Sequence, residues 1–389
     1  MRTRRSERAA GRTGAGRGWA VVAAGLIAAI ALVGQAEPDG AVERAAPGDG
    51  ATRTSAAEAA PSASTSTSTT APPAPNGTPP AKPGHAAPPS PIGARFAEPL
   101  EGQRMRIRYQ WRRSKSQGLL LADRDARPGY VRDGLFVDYA ETPRALDVTT
   151  HTVEVAYAPH PRTTLILQVP FLVKDLETLE ASGDRRRDQT EGIGDVTLGL
   201  VVPFIRRGRE SSHVHIAFDV PSGGFRKHDE AGRRLPYDSQ LGNGTVDFEW
   251  GWTYRGERDG LSWGGQAVGR HPLGQNGLDY REGSRFEASL WSGVRIIDGL
   301  SASLRVQWQK QNNLSGRDRG FDPIADPAEN GKARGGTRFL LGPGLAWDLP
   351  GVLRGQRLAV ELAVPVHQNL DGPQLEQDWT LTTGWQWAY

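Results

Sequence analysis

From residue 105 to residue 389 the chain alternates apolar and polar side chains with a period of two, and the links between its segments alternate in length. Met105, Ile107, Tyr109 and Trp111 set the pattern, which returns at 153–157, 165–171, 196–204, 214–220, 246–254, 261–263, 286–294, 302–308, 339–347, 358–364 and 379–389. A repeat of 180° per residue means strands with one apolar and one polar face, and the pattern yields twelve. No segment carries a 3.6-residue amphipathic stripe, so no helical layer is expected to cover a sheet. Links after even-numbered segments are short (159–161, 206–210, 255–260, 297–300, 348–356). Those after odd-numbered ones are long (112–148, 174–192, 222–243, 271–284, 310–336, 367–376). A soluble sandwich has no reason for this alternation. An antiparallel up-and-down transmembrane β-barrel has short turns at one rim, long loops at the other and an even strand count.

Composition supports that reading once the chain is divided. Residues 1–18 carry six arginines and one glutamate. An uninterrupted apolar run over 19–34 follows, with Gln35-Ala36 before Glu37-Pro38. This is the layout of a secretory signal peptide over 1–36, with an uncleaved anchor as the alternative. That stretch holds six of the 47 basic and one of the 44 acidic residues, so without it the net charge turns from +3 to −2. Residues 37–95 hold 12 of the 28 prolines and no Leu. Such a stretch cannot bury enough apolar surface to offset its ordering entropy, and a disordered tether is expected there. The barrel is then expected over 96–389. With no cysteine, disulfides, thiolate metal sites and Cys nucleophiles are excluded.

Aromatic residues Trp250, Trp252, Tyr254, Trp308, Trp347, Trp385, Trp387 and Tyr389 are expected as a girdle near the short turns. The terminal Tyr389 is read as the signal recognised by outer-membrane assembly machinery, which with lipid and a small-molecule solute makes up the expected partners. No nucleic acid and no cofactor is expected.

The stretches 192–200 (GIGDVTLGL), 235–248 (LPYDSQLGNGTVDF), 261–269 (LSWGGQAVG) and 370–386 (LDGPQLEQDWTLTTGWQ) resemble the outer-membrane transporter family grouped with meta-pathway phenol-degradation proteins. The resemblance covers most of 105–389 and implies an outer-membrane barrel with a transport role. The Met-rich first strand of many relatives is missing, since Met105 is the only methionine besides the initiator. A copper-related role is therefore not expected.

Lumen-facing Asp247, Glu249, Arg295, Arg305 and Glu361 are expected to set the field and selectivity of a passage for small solutes. His213 and His215 share a strand face roughly 6.5–7 Å apart, with Asp219 further along it. They form either a metal site or casual pairs in a hydrated lumen. No G-x-S-x-G motif occurs, and no catalytic residue is assigned. The alternatives are a plugged barrel serving as a structural or surface-interaction module and, further off, an outer-membrane lipid hydrolase.

Overall fold

The computed structural model describes residues 87–100, 102–126 and 139–389. The expected signal peptide, and the expected tether as far as residue 86, lie outside the described residues.

Fifteen β elements follow in chain order: β1 Met105–Ala122, β2 Arg124–Asp125, β3 Glu141–His160, β4 Thr163–Glu180, β5 Arg185–Ile193, β6 Val196–Arg207, β7 Glu210–Val220, β8 Asp247–Arg258, β9 Leu261–Pro272, β10 Tyr280–Arg281, β11 Arg285–Ile297, β12 Leu300–Gln311, β13 Ser315–Gly316, β14 Gly336–Asp348 and β15 Gln356–Ala388. The long strands pair antiparallel with their chain neighbours, and β15 pairs back onto β1 through registers such as Tyr109↔Trp385, closing the wall. β4 pairs with β6 over one part and with β5 over another, so β5 and β6 share one wall position interrupted at Gly194-Asp195. β15 doubles back on itself: its first part pairs with β14 and its second with β1. The Ala388 N–H donates to Gly355 O at 3.0 Å, and the Gln368 side chain bonds the Gln377 backbone. The wall therefore has twelve positions. Closure leaves no unpaired edge, which a sheet in lipid requires.

Alternation places Leu165, Leu198, Ile216, Trp252, Leu290 and Leu345 on the outside, each at least 42% exposed. A water-soluble barrel would not display so continuous an apolar surface, whereas lipid solvates it. No helix among the described residues is long and apolar enough to cross a membrane; the crossing elements are the strands. The molecule is an antiparallel up-and-down transmembrane β-barrel.

Several expectations change, the loops expected over 112–148 and 367–376 among them, since β1 runs to Ala122, β3 starts at Glu141 and β15 is continuous through 367–376. The loop expected over 174–192 is a strand hairpin, because β4 runs on to Glu180 and β5 starts at Arg185. Its ladder is built from polar pairs such as Arg187–Glu177 (3.2 Å) and Arg186–Glu180 (2.9 Å). A hairpin standing in water needs no apolar stripe, so the period-two signal fades there although the strand continues. The aromatics also divide. Tyr254, Trp347, Trp385, Trp387 and Tyr389 lie toward the short turns. Trp250, near the start of β8, and Trp308, near the end of β12, lie toward the long loops. The girdle thus occupies both rims, as two membrane–water interfaces demand.

Candidate functional site

The lumen is occupied. Residues 87–100 (APPSPIGARFAEPL) run inside the barrel, with Phe96, Ala97 and Leu100 at 2–3% exposure. The boundary expected at 95/96 falls within this stretch. The last nine residues of the expected tether lie in the lumen, and 96–100 of the expected barrel form no part of its wall. The small, polar and proline-rich composition that reads as solvated chain also suits a narrow polar lumen, where wall side chains take the place of water.

Inside, the segment folds on itself: Ala94 N–H donates to Pro91 O at 2.9 Å and Ser90 N–H to Glu98 Oε1 at 2.8 Å. Wall side chains meet several of its other backbone groups, as burial favours. Gln266 Nε2 donates to Arg95 O (2.7 Å), Arg106 Nη1 to Glu98 O (3.0 Å) and His213 Nε2 to Phe96 O (2.9 Å), while Leu100 N–H donates to Thr164 Oγ1 (3.1 Å). Phe96, with φ of 53°, drops its ring among Ala156, Ile166, Val201 and Ala217. The His215 ring meets it edge-on at 4.9 Å. Trp291 points inward and packs on Ala94 and Ala97. Close approach dictates glycine twice. A Cβ on Gly251 would lie 2.1 Å from His215 Cε1, and one on Gly93 would lie 2.2 Å from Glu361 Oε1.

Charges tie the segment to opposite walls. Arg95 reaches Glu249 at 3.0 Å and Asp219 at 3.7 Å, and donates to Gln168 and Thr197. Glu98 pairs with Arg357 at 3.1 Å. Around them, Arg270 bridges Asp219 (2.6 Å) and Asp247 (3.0 Å), Arg305 pairs with Glu361 (2.5 Å), and Arg106 with Glu154 (3.1 Å).

A second closure comes from the long-loop rim. The loop over 221–246 folds inward and is held by its backbone. Lys174 Nζ donates to the carbonyls of Asp238 (2.8 Å) and Gln240 (2.5 Å), and Thr190 Oγ1 to Ser239 O (2.7 Å). The Asp195 carboxylate, at the break between β5 and β6, accepts from Gly223 N–H (2.9 Å) and Asn243 N–H (3.1 Å). Neighbouring loops lock it in place: the Tyr237 ring stacks edge-on with Tyr280 (4.9 Å) and Phe321 (4.7 Å), and Arg334 pairs with Asp238. Between the two closures lies a cavity of about 260 Å³, bounded by Ile92, Phe96 and Leu241 and walled by Arg108, Arg112 and Arg270.

The sequence-predicted residues are thus distributed. Asp247, Glu249, Arg305 and Glu361 are buried in the lumen, each in an ion pair. Arg295 is half-buried on β11 at the short-turn rim. His213 and His215 turn toward Phe96, with His215 Nε2 3.4 Å from Glu249, and Asp219 is engaged by Thr197 and Arg270. The structure does not gather His213, His215 and Asp219 around one point, and no group of three or more potential ligands is placed to hold a metal among the described residues. Arg95, Phe96, Glu98, Arg112 and Trp291 were not singled out from sequence. For the segment, the only available signal was Phe96, the first aromatic after the proline-rich stretch. Trp291 breaks the outward-aromatic rule, and only its register between outward Leu290 and Ser292 gives it away.

Among curated proteins none matches the chain. Solved structures do. An outer-membrane channel from Pseudomonas putida F1 aligns with TM-score 0.51 and 11% identity, over 76% of this chain and 99% of that one. A Pseudomonas aeruginosa FadL homologue aligns with TM-score 0.39 and 8% identity, over 74% and 90%. The transport unit of the autotransporter AIDA-I from Escherichia coli aligns with TM-score 0.40 and 9% identity, over 76% and 94%. The first likeness is one of fold. In sequence, residues 139–356 match the family described as "Putative MetA-pathway of phenol degradation", and with more than half of its length so matched, the chain belongs to that family.

Proposed function

We propose that this barrel is a closed passage for small solutes across the bacterial outer membrane, opened when residues 87–100 leave the lumen. The carrying observation is how that segment is held. The wall is joined by continuous backbone ladders, whereas the segment is joined to it through side chains: His213, Gln266 and Arg106 on its carbonyls, and Glu249 and Arg357 on its charges. The neutral contacts are each worth about 1 kcal/mol net and the charged ones about 1.5–3 kcal/mol, and none belongs to the wall's ladder, so the segment can detach without opening the sheet. The lumen-facing charges Asp247, Glu249, Arg305 and Glu361 would then line the open route and bias it by charge. The reading assigns no catalytic step. Export through 1–36 and recognition of Tyr389 by assembly machinery belong to the same proposal. The support for the latter is that the Tyr389 N–H donates to Met105 O at 3.0 Å across the closing seam, so the residue lies at the end of the strand that closes the barrel.

A second reading, a permanently plugged barrel that presents its loops as a binding surface, is favoured by the double closure itself. One experiment separates the two. The full chain and a variant lacking 87–100 are each reconstituted in planar bilayers. A passage predicts a large, steady rise in conductance in the deletion variant. Equal silence of both, and of a variant in which the inward loop over 221–246 is shortened as well, with correctly folded barrels, would establish the structural reading instead.

A further inference from the structure

The cavity between the two closures is asymmetric in chemistry. Three of the arginines that line it already have carboxylate partners: Arg95 has Glu249, Arg270 has Asp219 and Asp247, and Arg108 shares Glu154 with Arg106, at 3.6 Å. Arg112 is not. It makes no hydrogen bond and no ion pair among the described residues, and its side chain is open to the cavity. The charges around it are Glu287 and three further arginines, Arg285, Arg95 and Arg305. Glu287 is itself committed, to Arg285 at 2.7 Å and Gln307 at 2.7 Å. An arginine held among arginines in a protein-lined lumen is stabilised by an anion that completes it.

The wall beside Arg112 grades from cationic to apolar. Arg112 pairs in register with Thr150, and Thr150 with Leu172; one row below, Gln110 pairs with Thr152 and Thr152 with Pro170. Neighbouring strands lie about 4.8 Å apart, so the backbones that carry Arg112 and the apolar patch are roughly 10 Å apart across two strands. Leu241 of the inward loop and Ile92 of the plug extend the apolar side. A dry cavity of about 150 Å³ already accepts a benzene ring, and this one, at about 260 Å³, leaves room for a ring and a charged head.

We infer that the chamber is a binding site for a small organic anion, a monocarboxylate with a compact apolar body. Its carboxylate accepts from two N–H groups of the Arg112 fork and its body lies over Pro170, Leu172 and Leu241. The inference rests on the passage reading, for which it names the solute class. The Thr150 and Thr152 hydroxyls stand between the two ends and supply hydrogen bonds to the head group. A neutral solute of the same shape would leave Arg112 uncompensated, and a carboxylate without a body would leave the apolar wall wet.

The test is calorimetric binding to the intact, detergent-solubilised chain, using benzoate, benzyl alcohol and acetate as probes. Benzoate is expected to bind at least tenfold more tightly than either of the others. Arg112→Gln is expected to weaken benzoate at least tenfold, with Arg112→Lys in between. Arg113→Gln, on the opposite face of the same strand, is expected to change nothing. Thr150→Glu, which sets an acid beside Arg112, is expected to abolish binding by a second route and serves should Arg112→Gln fail to fold by heat-modifiable gel mobility. Benzoate binding that survives both variants overturns the site. Benzyl alcohol as good as benzoate overturns the anion, and acetate as good as benzoate overturns the apolar body. Binding is read without flux. A silent deletion variant together with benzoate binding to the intact chain condemns the passage and keeps the site, while an open deletion variant together with no binding to the intact chain does the reverse.

Discussion

His213 Nε2 donates to the carbonyl oxygen of Phe96 at 2.9 Å, joining mid-barrel wall to a residue 117 positions earlier in the chain. That contact fixes the tautomer, with the proton on Nε2. It also supplies the hydrogen bond that a buried carbonyl needs where no strand runs alongside. Every other backbone group of the segment bonded to the wall is met the same way, by one side chain reaching in. The barrel is therefore two structures of different strength: a ladder-bonded wall, and an occupant retained by a handful of separable contacts.

The weakest point of that retention is steric. Glycine at 93 lets the segment lie against the Arg305–Glu361 pair, where a Cβ would lie 2.4 Å from Arg305 Nη2 and 2.2 Å from Glu361 Oε1. Gly93→Val should expel the segment while leaving the wall intact. The expected outcome is a several-fold higher single-channel conductance with unchanged heat-modifiable gel mobility. Conductance equal to that of the parent chain would mean that the segment is not the closure.

How much of this was readable beforehand follows from where each residue's partners lie. The wall was readable because lipid imposes one rule on every strand: outward residues such as Leu198, Leu290 and Leu345 must be apolar, whatever their neighbours. Asp247, Glu249, Arg305 and Glu361 were readable as the lumen face by the same parity. The plug was not. Its residues satisfy no periodic rule, and Arg95, Phe96 and Glu98 acquire their roles from Glu249, His215 and Arg357, which lie over a hundred positions away in the chain. Arg112 stood inside a stretch read as loop, because β1 continues beyond the apolar alternation that marked it.

Arg305 and Glu361 face each other at 2.5 Å with side chains only 5% and 2% exposed. Removing one partner from such a pair costs about 3–5 kcal/mol, because the other is left buried and charged, whereas replacing both with apolar groups is often neutral. Arg305→Met alone is expected to lower stability by about that amount in urea unfolding from lipid vesicles. Arg305→Met with Glu361→Leu is expected to recover most of the loss. If the double variant is no more stable than the single one, the pair does not act as a unit.

The loop between β12 and β14 should loosen as pH rises. Burial, chiefly, pushes the Asp326 carboxyl from 3.8 to about 7, and likewise Glu329 from 4.5 to about 7. Both accept backbone hydrogen bonds, Asp326 from Ala328 N–H (2.8 Å) and Glu329 from Asp322 N–H (2.6 Å). A carboxyl whose folded pKa is raised favours the folded loop while protonated. That contribution is complete below about pH 4 and is lost as pH climbs through about 7. Hydrogen exchange over 317–335, corrected for intrinsic rates, should therefore be slower at pH 5.5 than at pH 8. Asp326→Asn should shrink the difference and Asp326→Asn with Glu329→Gln should flatten it, and equal protection of the parent chain at both pH values would contradict the assignment.

The position of the barrel in lipid can be checked by one substitution made in two places. Leu290 lies outward on β11, 70% exposed, opposite Val306 and Gly265 on the adjoining strands. Val352 is fully exposed in the short turn between β14 and β15. Arginine costs about 2–4 kcal/mol on the lipid face near mid-membrane and close to nothing in water. Leu290→Arg should therefore destabilise the vesicle-inserted barrel by roughly that amount, and Val352→Arg should leave it unchanged, both measured by urea-induced unfolding in lipid. In a water-soluble barrel neither site would be penalised, so equal midpoints for the two variants would deny the transmembrane placement.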